Sequence, residues 1–151
     1  MAITVTTAMP TSFKVEILKG VHDFTVTTGD VFKLALLKAT ASGSLTFNAT
    51  TTNYSDLGAD QLASGSGYTT AGNTLVSATP VADGTTAICD FADTTWTTSS
   101  FTTCGGLIYN DTESGKACAV LSFGGDQTVS SGDFQIQMPA AAAATAIIRI
   151  A

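Results

Sequence analysis

The chain has 151 residues, a length that fits one domain with a sizeable apolar core. Only 12% of the residues are charged, 44% are hydrophobic and the formal net charge is −6. Six Lys and Arg residues are too few to displace counterions from phosphate, which excludes nucleic-acid binding and disfavours an anionic membrane surface.

The opening Met1-Ala2-Ile3-Thr4-Val5 has no basic region leading into an apolar core, so no secretory leader is expected and folding in a cytoplasm follows. After Pro10, Phe13, Ile17, Val21 and Phe24 recur at helical spacing, with Thr11 or Ser12 as caps and Gly20 at the C-terminal break. A short helix is expected there, although Phe13, Val15 and Ile17 also alternate with Lys14 and Glu16 as a strand would. Residues 40 to 80 are polar and rich in Gly, Ser and Thr, with Tyr54 and Tyr68 as their main bulky anchors. They read as a long surface excursion.

Period-two alternation dominates the rest. In Thr85 to Phe91, Ala87, Cys89 and Phe91 share one face and Thr86, Ile88 and Asp90 the other. Leu107-Ile108-Tyr109 reads as a strand, and around residue 120 Ala117, Ala119, Leu121 and Phe123 oppose Cys118, Val120 and Ser122. The segments at 85–91 and 117–123 look covered on both faces. From Asp133 to Met138, Phe134, Ile136 and Met138 alternate with Asp133, Gln135 and Gln137, the pattern of a sheet with one wet face. Five alanines after Pro139 cannot sustain a helix, so a tight loop or single turn is expected, and Ala146 to Ala151 reads as a strand held in a sheet. Breakers stand at Thr28-Gly29-Asp30, Asp83-Gly84, Asn110-Asp111, Ser114-Gly115, Gly124-Gly125-Asp126 and Ser131-Gly132.

Short strands at this spacing predict a mainly β fold, an antiparallel β-sandwich or jelly-roll-like barrel with a short N-terminal helix, as a single domain over residues 1–151. The expected core includes Phe32, Leu34, Leu36, Phe91, Leu107, Tyr109, Leu121, Phe123, Phe134 and Ile136. No run of about 18 apolar residues offers a spanning helix. Apolar content that outweighs the charge is read as surface for partners, and the acidic surplus favours a basic one.

Residues with chemical potential are sparse. His22 is the single histidine, so any Cys–His or Ser–His–Asp arrangement must use it, and no Gly-x-Ser-x-Gly turn is present. A solvent-facing or backbone-bonded structural histidine is expected. The carboxylates Asp56 with Asp60, Asp90 with Asp93, and Asp111 with Glu113 mostly sit in turn sequences, where Asp bonds backbone N–H groups. A glycosidase would need two of them at a set separation, and the calcium-loop spacing is absent. Gly65-Ser66-Gly67 lacks the Lys-Ser or Lys-Thr of a phosphate loop, and Gly105-Gly106 precedes a strand rather than a helix. Cys89, Cys104 and Cys118 are odd in number and form no Cys-x-x-Cys; they read as small buried hydrophobes rather than a disulfide framework or zinc site. Trp96, between Thr94-Thr95 and Thr97-Thr98, is either a sugar-stacking platform or a core residue. No catalytic, cofactor-binding or metal-ligating residue is assigned, and no cofactor is expected.

The order of short phrases carries a resemblance. Ser12-Phe13-Lys14, Gly20-Val21-His22-Asp23-Phe24, Val31-Phe32-Lys33-Leu34-Ala35-Leu36 and Gly65-Ser66-Gly67-Tyr68-Thr69 occupy the first half. Asp90-Phe91-Ala92-Asp93 with Trp96, Phe101-Thr102, Leu107-Ile108-Tyr109-Asn110, Ala119-Val120-Leu121, Phe123-Gly124-Gly125-Asp126 and Ala146-Ile147-Ile148-Arg149-Ile150-Ala151 occupy the second. Together they resemble a family of small virion structural proteins, of decoration type, encoded by tailed bacteriophages and prophages. The resemblance implies a non-enzymatic virion component folded in the host cytoplasm, with no catalytic residues to carry over. Capsid decoration, by binding the major capsid protein as a homo-oligomer with a trimer favoured, is the expected post. Neck or tail association is the alternative, and a carbohydrate-binding module or a cryptic hydrolase are readings from other classes.

Overall fold

The structure is a computed structural model describing residues 3–39 and 46–151. It is mainly β and sandwich-like, with several antiparallel sheets and one short helix. In chain order the elements are β1 (Thr4–Val5), α1 (Thr11–Leu18), β2 (Phe32–Lys38), β3 (Thr46–Phe47), a 3-10 helix (Tyr54–Asp60), β4 (Asn73–Thr74), β5 (Val81–Asp83), β6 (Thr86–Cys89), β7 (Thr94–Asn110), β8 (Lys116–Ile136) and β9 (Ile148–Ile150).

The run from Phe32 to Leu37 explains the centre of the molecule. Phe32, Leu34 and Leu36 enter one apolar cluster with Phe13, Trp96 and Ile108, while Ala35 and Leu37 enter a second with Phe47, Leu57 and Tyr109. A strand apolar in both phases is covered on both faces, and β2 sits inside a four-stranded sheet ordered β4-β2-β7-β8. The three-stranded sheet β5-β6-β9 supplies Cys89 and Ile148 to the first cluster, as α1 supplies Phe13. On the other face, the 3-10 helix supplies Leu57 and the parallel pair β1-β3 supplies Phe47.

The helix is shorter than its apolar spacing implies. Pro10 is its N-cap and no side chain caps it, so neither Thr11 nor Ser12 plays that part. At the other end Gly20 adopts φ 68°, Gly20 N–H donates to Ile17 O and Val21 N–H to Glu16 O, each at 3.0 Å. These two bonds form a Schellman closure, which needs a left-handed residue at Gly20. Val21 and Phe24 therefore lie beyond the helix, and Phe24 reaches the core from the following loop by stacking on Phe32 at 4.3 Å and 7°.

The glycine-rich breaks at 124–126 and 131–132 do not end strands. They lie inside β8, which stays paired with β7 across several register shifts. Pairing passes from Gly105↔Ser122 to Thr103↔Gln127, so residues 123–126 of β8 stand opposite Cys104 alone. Gly124 and Gly125, with φ 74° and 147°, absorb the excess as a bulge, and pairing resumes because the flanking residues keep their alternation. The expected core residues Leu121, Phe123, Phe134 and Ile136 are only partly buried. β8 is the edge strand, so side chains on it are covered from one side. The other expected core residues are buried. Residues 117 to 120 are covered on both faces, whereas β6 is shorter than residues 85–91 and exposes Ala87. The polyalanine stretch makes a turn, with Ala146 N–H donating to Ala142 O at 2.9 Å, and β9 pairs with β6.

The segment expected to form a surface excursion is mostly exposed where described, yet it also braces β2; its residues 40–45 lie outside those described. Leu62 N–H donates to Leu36 O at 2.8 Å, Leu36 N–H donates to the Tyr68 hydroxyl at 3.0 Å, and β4 pairs with Lys33 and Leu34. Residues 61–75 thus complete the outer edge of β2, which would otherwise leave buried backbone groups unsatisfied. Tyr54 stacks on Tyr109 at 4.5 Å.

Tyr68→Phe leaves the Leu36 N–H without its acceptor and is expected to cost about 1–3 kcal/mol, read from urea unfolding midpoints. Burial also pushes the Tyr68 hydroxyl from its ordinary 10.0 up to about 12. A raised pKa means the folded state holds this proton more tightly, so the stability is fully present below pH 10 and is lost as pH rises towards 12. A far-UV circular dichroism titration should place alkaline unfolding in that window.

Candidate functional site

His22 is fully buried and bonded through both ring nitrogens, not solvent-facing or tied to backbone. Its Nε2 lies 3.0 Å from Glu16 Oε2 and its Nδ1 3.0 Å from Asn110 Nδ2. The Asn110 amide is oriented by two further bonds: Nδ2 donates to Asp30 Oδ2 at 2.7 Å, and Oδ1 accepts from Glu113 N–H at 3.1 Å. Nδ1 of His22 must then accept, which puts the ring proton on Nε2, donating to Glu16. Glu16 completes the network by pairing with Lys116 at 3.1 Å. The burial follows from the early helix stop: beyond Gly20 the chain folds back, bringing the imidazole 4.9 Å from the Phe13 ring and against the end of β7. With both nitrogens engaged, His22 is a cross-brace between α1, the 22–30 loop and the β7–β8 hairpin.

The acidic pairs disperse into separate structural bonds. Asp56 accepts from the N–H groups of Thr52 and Asn53, closing the start of the 3-10 helix. Asp60 is buried, 3.8 Å from Lys38 Nζ. Asp90 accepts from Phe91 N–H and Asp93 from Met138 N–H, while Asp111 pairs with Lys33 at 2.8 Å. Burial raises the Asp90 carboxyl above the usual range. Among the described residues no group of three or more His, Cys, Asp or Glu side chains could hold a metal ion.

Trp96 lies inside the core, 3% exposed, 6.0 Å from the Tyr68 ring and 6.1 Å from the Phe134 ring. It presents no face on which a sugar could stack. Gly65 and Tyr68 exchange backbone bonds across a turn. At Gly105 a Cβ would fall 2.6 Å from Leu121 O, so that glycine permits close approach of β7 and β8. All three cysteines are buried and free. Burial pushes the Cys89 thiol up to about 11, and raises Cys104 and Cys118 as well. Since the thiolate is the reactive form, native protein at pH 8 should react negligibly with a thiol reagent. Three equivalents should appear in denaturant without reductant; one would reveal a disulfide.

One surface feature remains open. Between α1 and β9 lies an apolar groove of about 390 Å³, with Met9, Phe13, Ile17 and Leu18 on one wall and Ile148 and Ile150 on the other. Leu18 is 88% exposed and Ile150 54%. Lys14 and Arg149 line the same groove, so it combines apolar walls with two cationic residues. Alternation and spacing did not reveal this groove, since its two walls are more than 120 residues apart in the sequence. A local signal was present in Leu18, an apolar residue off the Phe13–Ile17 phase. Asn110, Glu16 and Lys116 were likewise missed, because a polar residue's partner is set by tertiary contact. Compared with protein-family models, with curated proteins and with solved structures, the chain matches none.

Proposed function

We propose that the chain is a non-enzymatic virion structural protein of the tailed-phage type, a capsid decoration protein that binds the major capsid protein and stabilises the coat lattice. The observation that carries this reading is the open apolar groove between α1 and β9, a surface suited to the contacts of an assembling protein, on a chain with few charges to keep it from associating. The ordered resemblance along the chain supports the virion setting. The His22 network supports a structural role, because the one imidazole is already engaged at both nitrogens. A homo-oligomer, in trimeric form on local three-fold positions, is the attachment state proposed.

Contacts of this kind are mainly apolar and hydroxyl-rich, so binding should survive rising salt, which screens exposed charges. Purified protein added to particles stripped of it should rebind capsids across a salt series. Failure to bind capsids, with co-purification on isolated tails, would overturn decoration in favour of tail association.

A further inference from the structure

The groove between α1 and β9 carries more than apolarity. Lys14 and Arg149 line it, and neither makes an ion pair among the described residues. Lys33, Lys38 and Lys116 are paired with carboxylates. Arg149 Nη1 donates to the carbonyls of Ala143 and Ala144, which fixes the guanidinium in place without neutralising it. β9 pairs with β6 alone among the described strands, so its second edge, bordering the groove, is free to accept a strand.

A complementary element exists on the same molecule. From Phe123 onward, β8 has no strand partner on its outer side among the described residues. Asp126 and Asp133 are exposed along this edge, and residues 117–148 contain no Lys or Arg. Val129, Phe134 and Ile136 are each partly exposed there, Phe134 and Ile136 while also packing against the first apolar cluster. An acidic strand edge with apolar side chains matches an apolar groove with a basic rim and a strand edge of its own.

We propose that a second copy of this chain fills the groove, its β8 edge around Asp126 to Ile136 adding to β9 beside Leu18. The contact joins two different surfaces, so it is head-to-tail and closes into a ring when the rotation permits. Apolar burial at Leu18 and Ile150 holds the copies together, and the rim charges orient their encounter. The inference rests on the homo-oligomeric assembly proposed above and adds which surfaces meet: the groove goes to a second copy, so capsid binding uses another face.

Sedimentation velocity of the full chain over a concentration series tests it. The wild type should associate reversibly. Leu18→Gln, at an exposed position, and the pair Lys14→Glu with Arg149→Glu should each raise the dissociation constant about tenfold or more. Asp126→Lys with Gln135→Lys should do the same, and mixing this variant with the Lys14→Glu, Arg149→Glu protein should restore association between them. Circular dichroism on each variant checks that the fold is kept. A wild type that stays monomeric at the highest concentration would overturn the inference, as would reversal variants that associate unchanged or fail to rescue one another. A monomer that still rebinds stripped capsids refutes the self-contact and leaves decoration standing; an oligomer through this groove that binds no particle does the reverse.

Discussion

Asn110→Leu is expected to lower the stability of the fold by about 3–5 kcal/mol. Asn110 is fully buried at the end of β7. Its Nδ2 serves His22 Nδ1 and Asp30 Oδ2, and its Oδ1 serves Glu113 N–H. Leucine fills a similar volume but supplies none of these bonds. Three groups then lose a partner together, one of them a carboxylate, and a buried polar group left unsatisfied costs more than the bond itself contributes. Urea unfolding should show the midpoint fall with little change in slope. A loss under about 1 kcal/mol would mean that water replaces the amide and that the network braces nothing.

Trp96→Ala should destabilise by about 3–5 kcal/mol, the range for truncating a large buried aromatic. The indole sits between Tyr68 and Phe134, and its removal opens a cavity under the β7–β8 hairpin. The same variant separates two roles, because a sugar platform would be exposed and cheap to remove. Single-tryptophan fluorescence gives the check: emission should be blue-shifted in the native protein, shift red only on unfolding, and stay unchanged when oligosaccharides are added. A surface-like emission quenched by sugar would contradict the burial.

The residues that were legible in the sequence are those whose environment is set by local alternation. Phe32, Leu34 and Leu36 announce a strand, and Ile108 with its neighbours does the same for β7. Glycine was the ambiguous signal. Gly115, at φ 79°, closes the β7–β8 turn as expected, while Gly124, at φ 74°, sits inside one long strand. Both need the same backbone region, so only the register of the partner strand tells a turn from a bulge. Position in the sheet was equally hidden: the pattern at Phe134 and Ile136 is that of an inward face, but nothing in it says that β8 would be an edge. His22 was misplaced for a third reason, since its partner Asn110 is 88 residues away and its own neighbours read as helix.

The proposed surface depends on those hidden features, because the free β8 edge and the α1–β9 groove exist only once the register and the helix stop are known. The central proposal, capsid decoration, is tested most directly by quantitative mass spectrometry of phage particles purified from cells that carry the gene, before and after tails are separated from capsids. The account predicts many copies per particle, fractionating with the capsids. Absence from the particles, or a few copies fractionating with the tails, would contradict it.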